Sequence, residues 1–376
     1  MLTTLAVAGY RSLRDVTVPL GALTVVTGPN GSGKSNLYRA LRLLAQTARG
    51  ELIGAVAREG GISSLLWAGP ERGGTQGTLR KGPIAVLLGF ASDDLGYLID
   101  LGLPQVGQGS LFLRDPEIKR ERVFTGASAR PASVLVDRLR GVTRVRADGW
   151  VTLDQQLEPY ESIVTDLADG DSAPELLALR RTMAGWRFYD HFRVDPEAPA
   201  RLPQVGTRSP TLSHDGANVA SVWGTLEEAG LAAPLDDAVA DAFPGARVTV
   251  AAVDGLFRLQ LHQRGLLRPL EATELSDGTL RYLLLGAALL PARPPPLIVL
   301  NEPESSLHPG LLAPLADLVA EAATRSQVVV VTHSTALAQA LDDAGAHRVG
   351  LVADLTGTAV EGQGLLSIPE WLWGRR

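Results

Sequence analysis

A glycine-rich stretch near the start of the chain has the residue types and spacing of a phosphate-binding loop. It reads Gly28-Pro29-Asn30-Gly31-Ser32-Gly33-Lys34-Ser35. The glycines let several backbone N–H groups converge on phosphate oxygens. Lys34 would reach the β- and γ-phosphates of a nucleotide, and the Ser35 hydroxyl would ligate Mg²⁺. One of only three lysines in the 376 residues occupies this position. These residues predict ATP and Mg²⁺ as ligands.

The flanking residues predict the strand and the helix that such a loop requires. The apolar run Leu23-Thr24-Val25-Val26 precedes the loop, and Leu37, Leu41 and Leu44 follow it at helical spacing. We expect that helix to end before Gly50, with its positive end toward a bound phosphate. A glycine-rich turn that happens to precede a helix is the simpler alternative.

A second group of polar residues follows a strand of the buried type. Residues 297–300 are apolar, and Asn301-Glu302-Pro303-Glu304 comes directly after them. Ligands bind at the carboxyl ends of strands in parallel sheets, and a carboxylate there can orient or deprotonate the water that attacks a γ-phosphate. His333 follows the next predicted strand, residues 328–331, in the same way. A surface glutamate and a structural histidine are the alternatives.

The segment Leu275-Ser276-Asp277-Gly278-Thr279 opens a predicted helix that runs to about residue 290. A serine hydroxyl and free N–H groups at a helix N-terminus suit a phosphate. A serine that only caps the helix explains the same residues.

Composition limits the class of protein. Hydrophobic residues make up 45% of the chain and charged residues 20%, which indicates a soluble globular protein. No apolar run approaches the roughly 18 residues of a membrane span, and the N-terminus lacks the basic start of a secretory signal. Zero cysteines exclude disulfides and thiolate metal sites, and a net charge of −6 argues against a wholly basic surface. We expect a cytoplasmic protein without a membrane partner.

Other segments complete a pattern of strands and helices. We expect strands at 3–9 and 14–20, β-like runs between 83 and 153, a helix at 174–189, a hairpin across 246–262, a helix at 309–324 and a last strand at 347–352. The strand–helix–strand order after residue 275 predicts a parallel sheet with covering helices. The tail Trp371-Leu372-Trp373 is expected to pack back on the body. There is no internal repeat and no heptad run.

These motifs, in this order, resemble the RecF/SMC/OLD-like branch of ABC-type P-loop ATPases, and most closely its stand-alone bacterial AAA/RecF-like members. Tyr10-Arg11-Ser12-Leu13 is similar to the opening of that branch, and Asn-Glu-Pro-Glu with the following Leu-His-Pro at 301–309 is similar to its later motifs. The resemblance implies an α/β P-loop NTPase fold. It would be a two-lobed ABC/SMC-head-like ATPase with a mixed sheet and a compact β-rich insertion, without a coiled coil.

The resemblance also implies a place for each motif. Residues 28–35 form the Walker A motif, 297–302 the Walker B motif, and 275–279 the LSGGQ-type signature that contacts the nucleotide of a second subunit. His308 falls at the D-loop position, and His333 is the switch histidine. The implied catalytic residues are Lys34, Glu302 and His333, the metal ligands are Ser35, Asn301 and Glu302, and the nucleotide contacts are Arg11, Gly28, Pro29, Asn30, Gly31, Ser32, Gly33, Lys34, Ser35, Asn36, Ser276 and Gly278.

Three parts follow from the motif positions. Residues 1–94 would be the N-terminal ATPase part with Walker A, 95–205 an insertion that is first β-rich and then helical, and 206–376 the C-terminal ATPase part with signature, Walker B and switch histidine.

Asn301 departs from the Walker B pattern of these ATPases, which has a carboxylate at this position. Either hydrolysis is slow, or Glu304 or another carboxylate supplies the missing charge.

The leading functional hypothesis is an ATP-binding and hydrolysing switch that forms a homodimer on ATP binding and acts in DNA repair, chromosome maintenance or phage defence. Residues 114–147 contain nine Arg or Lys against four acidic residues. They predict either a basic face for DNA or an ordinary solvated β-surface.

Three other functions stay open or are rejected on the sequence. A regulatory module or pseudo-ATPase that works with a separate partner protein or nuclease is kept open by Asn301, and a transporter ATPase is disfavoured by the 239 residues between Ser35 and Leu275. An OLD-type nuclease would need a metal-binding carboxylate domain. Asp169-Gly170-Asp171 is the only Asp-x-Asp, and it lacks a preceding buried strand, so we expect no intrinsic nuclease activity.

Overall fold

The computed structural model describes residues 1–69, 85–105, 110–167, 173–190, 192–354, 357–364 and 367–374. Asp169-Gly170-Asp171 therefore lies outside the described residues. The chain divides into two compact units. Unit one comprises Met1–Gly21, Val26–Trp186 and Val349–Arg376, and unit two comprises Ala22–Val25 and Arg187–Arg348.

The described residues contain eighteen strands, most of them rich in β-branched and aromatic residues. In chain order they are β1 (Leu2–Tyr10), β2 (Leu13–Pro19), β3 (Leu23–Thr27), β4 (Ala85–Ser92), β5 (Gly96–Gly102), β6 (Glu117–Phe124), β7 (Val134–Leu139), β8 (Val142–Arg146), β9 (Trp150–Thr152), β10 (Arg187–Tyr189), β11 (Gln204–Val205), β12 (Arg247–Val253), β13 (Leu256–His262), β14 (Leu270–Glu271), β15 (Leu297–Asn301), β16 (Gln327–Val331), β17 (His347–Asp354) and β18 (Gly357–Val360).

The same residues contain ten α-helices, and short 3₁₀ turns precede two of them. The α-helices are α1 (Lys34–Ala48), α2 (Leu52–Arg58), α3 (Ile62–Leu65), α4 (Ile163–Asp166), α5 (Pro174–Ala184), α6 (Val219–Ala229), α7 (Ala233–Ala242), α8 (Asp277–Leu289), α9 (Leu312–Ala323) and α10 (Thr335–Asp343). The longest helix in the described ranges, α1, has 15 residues, so these ranges contain no coiled-coil arm. None of these helices is both long and apolar enough to cross a membrane.

Unit one is built on an antiparallel sheet of eight strands in the order β2-β1-β4-β5-β6-β7-β8-β9. Connections of two or three residues join β1 to β2, β4 to β5, β7 to β8 and β8 to β9, as tight turns between adjacent antiparallel strands allow. The pairing of β1 with β4 is long-range. Arg140 and Gly141, which join β7 to β8, have φ angles of 51° and 86°, as a type I′ hairpin turn requires. Helix α1 packs against α5 and against β1 and β4, and Phe90 meets Trp186 edge to face at 5.1 Å.

Unit two contains the parallel strands β10, β15 and β16, and β15 lies between the other two. Its Ile298 pairs with Arg187 of β10 on one side and with Val328 of β16 on the other. The start of β3 joins this group, because the Val328 N–H donates to the Ala22 carbonyl at 2.8 Å. A smaller antiparallel sheet has the order β11-β13-β12, with β14 paired to β13. Helix α8 lies in the core and contacts α6, α7 and α9, as its leucine-rich sequence on all sides requires.

Most of the predicted elements are confirmed, with boundaries shifted by a few residues. The helix predicted at 174–189 is wrong at its end, because α5 stops at Ala184 and residues 187–189 form β10. The short sequence Arg-Phe-Tyr pairs with the buried strand β15, and this long-range pairing overrides the local helical spacing. The predicted boundary between 94 and 95 falls between the paired strands β4 and β5, and the three-part division stays a prediction.

The predicted packing of the C-terminal tail is confirmed for the described residues. Trp371 meets Phe124 edge to face at 5.9 Å, and a Cβ at Gly89 would lie 2.5 Å from the Trp371 ring. The Trp373 indole N–H donates to Asp15 at 3.3 Å. The tail therefore covers one part of the eight-stranded sheet.

Candidate active site

The phosphate loop, residues 28–35, lies in unit one and connects β3 to α1. Gly28, Gly31 and Gly33 have φ angles of 146°, 82° and 100°, a region that glycine enters at little cost. A Cβ at Gly28 would lie 2.2 Å from the Leu351 carbonyl oxygen, and one at Gly33 would lie 2.3 Å from Thr358 Oγ1. Two of the three glycines are therefore required both by the backbone angles and by the space around them.

Lys34 lies along the loop that precedes it. Its ammonium group donates to the carbonyl oxygens of Gly28 at 2.6 Å and Pro29 at 3.0 Å. The side chain is buried, with 7% of its surface exposed. Both contacts are with neutral acceptors, so the positive charge is available to attract an anion.

The remaining loop residues differ in exposure. Pro29, Asn30, Gly31 and Ser35 are exposed, whereas Ser32 is buried and its N–H donates to the Pro29 carbonyl at 3.2 Å. Ser35 thus lies on the accessible side of the first turn of α1, as a Mg²⁺ ligand requires.

Asn36 and Arg11, both predicted nucleotide contacts, have protein partners in this structure. Asn36 donates to Ser12 Oγ at 2.9 Å, and Ser12 Oγ lies 3.1 Å from Thr358 Oγ1. Arg11 has a φ angle of 49° and donates to Glu59 at 2.6 Å. The Asn36 contact attaches the first turn of α1 to the β1–β2 hairpin, and the Arg11 contact attaches that hairpin to the end of α2. Direct nucleotide contact by Asn36 or Arg11 stays a prediction.

The strand-end cluster, which comprises Asn301, Glu302, Glu304 and His333, lies in unit two at the carboxyl ends of β15 and β16. Glu302 has a φ angle of 50°, which is uncommon outside glycine and costs about 1–3 kcal/mol. Its N–H donates to the Val331 carbonyl at 2.8 Å. His333 Nδ1 lies 3.4 Å from Glu302 Oε1 and 3.5 Å from Glu304 Oε1. The structure thus brings His333, which follows β16, next to Glu302 and Glu304, which follow β15.

Exposure separates the two glutamates. The Glu302 carboxylate is 44% exposed, whereas that of Glu304 is 8% exposed. Glu304 Oε1 accepts hydrogen bonds from the Thr332 hydroxyl and from the backbone N–H groups of His333 and Ser334 at 3.3 Å. Glu302 is accessible to a substrate, and Glu304 holds the loop that carries the histidine.

Asn301 ends β15 with its side-chain oxygen inside the protein. Among the described residues, Oδ1 is buried and has no hydrogen-bond partner. An unpaired buried acceptor is uncommon and costly, so this oxygen fits a ligand that is supplied from outside the chain.

The signature segment, residues 275–279, forms the start of α8. Ser276 is exposed and caps the helix, accepting from the Thr279 N–H at 3.2 Å. A Cβ at Gly278 would lie 3.0 Å from the Ser306 carbonyl oxygen, so glycine permits the close approach of the D-loop region. Ser276 therefore caps the helix, as the simpler interpretation of the sequence predicted. Contact of Ser276 and Gly278 with a nucleotide stays a prediction.

Two buried arginines at this site were missed by the sequence reasoning. Arg201 donates to the carbonyls of Ala272 and Leu275 at 2.7 and 2.8 Å and to Asp277 at 2.8 Å. Arg281, the fifth residue of α8, donates to the Glu302 carbonyl at 3.1 Å. A single arginine within the apolar sequence of α8 was a usable signal for Arg281, whereas nothing near Arg201 pointed to its partners.

His308, at the D-loop position, caps a short 3₁₀ turn. Its Nδ1 accepts from the Gly310 N–H at 3.1 Å, and the ring is exposed. Its neighbour Ser306 has a φ angle of 64°. The turn after β15 thus contains two left-handed residues outside glycine, Glu302 and Ser306.

The basic stretch at 114–147 does not form one exposed face, and the expectation is wrong for Arg120 and Arg138. Both side chains are fully buried. Arg138 pairs with the buried Glu121 at 2.8 Å and donates to the Glu158 carbonyl at 2.8 Å. The Tyr97 hydroxyl donates to the same Glu121 at 2.6 Å, and burial, together with that carboxylate, raises the Tyr97 pKa well above its usual value. This network is structural.

Other basic residues of the stretch have acidic partners or stack on an aromatic ring. Arg122 and Arg144 share Asp137 at 2.6 and 2.9 Å, and the guanidinium groups of Arg144 and Arg146 lie 5.2 and 4.9 Å from the centre of the Trp150 ring. These contacts favour the alternative of a charged, solvated β-surface.

The fold can be compared with solved structures. Over 97% of its length the chain superposes on 98% of an SMC head bound to the C-terminal winged-helix domain of ScpA, with a TM-score of 0.53 and 16% identity. It superposes equally on the SMC head domain from Thermotoga maritima, covering 97% of this chain and 99% of that one, with a TM-score of 0.53 and 14% identity. The fold is therefore that of an SMC-head-like P-loop ATPase, as predicted.

Sequence comparisons give the family. A stretch of 44 residues is 48% identical to an OLD nuclease from Thermus scotoductus, and it spans 12% of this chain and 8% of that protein. Residues 23–338 match the family described as "AAA domain, putative AbiEii toxin, Type IV TA system". Since the match covers well over half of the chain, the chain belongs to this family. The predicted resemblance to the RecF/SMC/OLD-like ATPases is confirmed.

Proposed function

We propose that this chain binds ATP through the phosphate loop, hydrolyses it with Glu302, and uses the nucleotide to control its own dimerisation. The single observation that carries the proposal is Glu302 itself. An accessible carboxylate is held in a left-handed backbone conformation, 3.4 Å from His333 Nδ1. Backbone strain of this kind persists where the surrounding structure imposes it, and it is concentrated at functional sites.

Each residue has a distinct part in the proposal. Backbone N–H groups of the phosphate loop and the ammonium of Lys34 bind the phosphates. Glu302 orients and deprotonates the attacking water. His333, whose Nδ1 faces the two carboxylates, presents its other ring nitrogen to the γ-phosphate.

The residues present also fit Mg²⁺. This ion is usually bound through one or two side chains together with substrate phosphates, and no group of three or more acidic or histidine side chains in the described ranges could hold a metal by itself. The predicted ligands are Ser35, Asn301 and Glu302, and bound Mg²⁺ would neutralise charge on the β- and γ-phosphates. The unpartnered Asn301 Oδ1 supports this assignment.

Dimerisation is supported by the fold and by the exposed signature segment. The family description names a "putative AbiEii toxin, Type IV TA system", which is consistent with a separate partner protein. The solved SMC head that carries a domain of ScpA is consistent with such a partner as well. The OLD nuclease similarity covers too little of that protein to support nuclease activity here. DNA as a partner is the least supported element, because most of the basic stretch is engaged within the protein.

A second function is favoured by one observation. Asn301 is neutral where the family pattern has a carboxylate, so a module that binds ATP without turning it over is the alternative. Both proposals predict nucleotide binding, and only the first predicts that Glu302→Gln changes the outcome.

The deciding experiment measures molar mass by light scattering, with and without ATP and Mg²⁺, on the wild type and on Glu302→Gln. We expect Glu302→Gln to lower kcat by about 10²- to 10⁴-fold, as loss of a general base does, and to accumulate an ATP-bound dimer. Glu228→Gln, a change at an exposed glutamate of unit two, is the control and should behave as the wild type. A monomer that binds ATP equally in every variant would refute the switch and leave the binding module.

A further inference from the structure

Helix α8 contains a buried positive charge that the proposed chemistry does not use. Arg281 is 1% exposed, although its neighbours Leu280 and Tyr282 are apolar core residues. Burial lowers the Arg281 pKa, and the negative charges of Glu304 and Glu302 oppose that effect. A buried guanidinium is costly and is retained where it has a specific partner.

The contacts of Arg281 are made with the turn that carries Glu302. Its Nη2 donates to the Glu302 carbonyl at 3.1 Å and its Nε to the Pro303 carbonyl at 3.4 Å. These two carbonyls lie on either side of Pro303, the residue that follows the left-handed Glu302. Arg281 therefore fixes the backbone from which the Glu302 carboxylate projects.

The buried Glu304 makes a similar set of contacts with the loop that carries His333. One oxygen accepts from the Thr332 hydroxyl and from the N–H groups of His333 and Ser334. The other oxygen, Oε2, is buried without a hydrogen-bond partner among the described residues, and so is Nη1 of Arg281. Arg281 thus contacts the Glu302 turn and Glu304 contacts the His333 loop. Each side chain also has one buried polar atom without a partner among the described residues.

The signature segment, residues 275–279, lies two to six residues before Arg281 and includes the first residues of α8. A displacement of α8 along or about its axis would move the guanidinium, and with it the Glu302 carbonyl. Packed cores transmit such displacements because they are close-packed.

We propose that Arg281 and Glu304 are positioning residues that connect the signature segment at the start of α8 to Glu302 and His333. This connection would exist in the protein without bound nucleotide. Its effect on turnover rests on the proposed function, in which Glu302 and His333 act on ATP.

The first test needs no nucleotide. In protein labelled with ¹⁵N-histidine, the ring resonances of His333 are assigned with a His333→Asn variant and compared at one fixed pH. We expect Arg281→Met and Glu304→Gln each to move the His333 ring resonances. The exposed pair Arg208 and Glu228, 3.1 Å apart, supplies the matched control, and Arg208→Met with Glu228→Gln should leave them unchanged.

The second test measures turnover. Arg281→Met and Glu304→Gln should lower kcat by about 10²-fold, the effect of a small misplacement of catalytic groups, while KM and nucleotide Kd stay within about threefold. The double variant Arg281→Met/Glu304→Gln removes both ionisable side chains from this part of the core, which avoids leaving a single buried charge uncompensated. Its kcat should be low although its Tm is close to that of the wild type.

The outcomes separate the two proposals. If the wild type hydrolyses ATP and the double variant does so equally well with unmoved His333 resonances, the connection is refuted and the proposed function stands. If the wild type has no Glu302-dependent hydrolysis but Arg281→Met still moves the His333 resonances, the proposed function fails and the connection stands. Resonances that stay in place in both single variants overturn the connection whatever happens to kcat.

Discussion

The phosphate loop and the strand-end cluster are held in place by different chemistry. The loop depends on backbone geometry and neutral groups, since Lys34 donates to carbonyls and Asn36 to a serine hydroxyl. The cluster depends on hydrogen bonds made by two ionisable side chains, the buried Glu304 and the buried Arg281 behind the Glu302 turn. The shape of the loop is therefore set mainly by backbone angles, whereas that of the cluster is set by hydrogen bonds from ionisable side chains.

Under the proposed function, we expect this difference to separate nucleotide affinity, set by the phosphate loop, from the rate of turnover, set by the strand-end cluster. Substitutions in the loop should weaken nucleotide binding in proportion to the contact that is lost. Substitutions in the cluster should leave binding nearly intact and change the rate. Interactions that raise kcat are those made more strongly in the transition state than in the bound substrate.

The largest effect that separates the two regions is expected from Lys34→Met. Hydrogen bonds to charged groups contribute about 1.5–3 kcal/mol, so nucleotide Kd should rise by about 10- to 150-fold. Titration with a fluorescent ATP analogue measures this. Lys119→Met, at a lysine paired with Glu117 at 2.7 Å, is the matched control. An unchanged Kd in Lys34→Met would remove the phosphate loop from the site.

A second, smaller effect tests whether the loop is shaped by backbone geometry. Gly33→Ala adds strain at a φ of 100° and a Cβ that would lie 2.3 Å from Thr358 Oγ1, whereas Gly31→Ala adds strain at a φ of 82° with open space around it. We expect a loss of free energy of unfolding of about 1 kcal/mol for Gly31→Ala and about 2–3 kcal/mol for Gly33→Ala. Urea denaturation without nucleotide measures both. Equal losses would show that crowding by Thr358 contributes nothing.

The sequence predicted the phosphate loop and the strand ends well because each is defined by neighbouring residues. Glycines, one lysine and the apolar runs before them carry the necessary information locally. The structure confirms β3, α1, β15, β16 and α8 at nearly the predicted positions.

What the sequence did not predict depends on long-range contacts. Arg138 was counted with the basic stretch, but its partner Glu121 lies 17 positions away on another strand and buries it. The β10 strand pairs with β15, more than a hundred residues later. Arg281 and Glu304 meet the Glu302 turn and the His333 loop only once unit two has folded. The sequence could therefore mark both residues as unusual but could not assign their partners.

The smallest expected effect decides what the signature segment does. Ser276 is a helix cap in this structure, and Ser276→Ala should cost about 1 kcal/mol of stability, the usual value of such a cap. Ser276→Asp should restore that stability, because Asp is an equally good cap. If the segment also faces a phosphate in the ATP-bound dimer, the added negative charge should abolish the dimer that light scattering detects in Glu302→Gln. Ser276→Asp would then keep the free energy of unfolding near that of the wild type while it prevents the dimer from forming. A dimer that survives Ser276→Asp would reduce the segment to its structural cap, and it would confine the nucleotide chemistry of each subunit to its own residues.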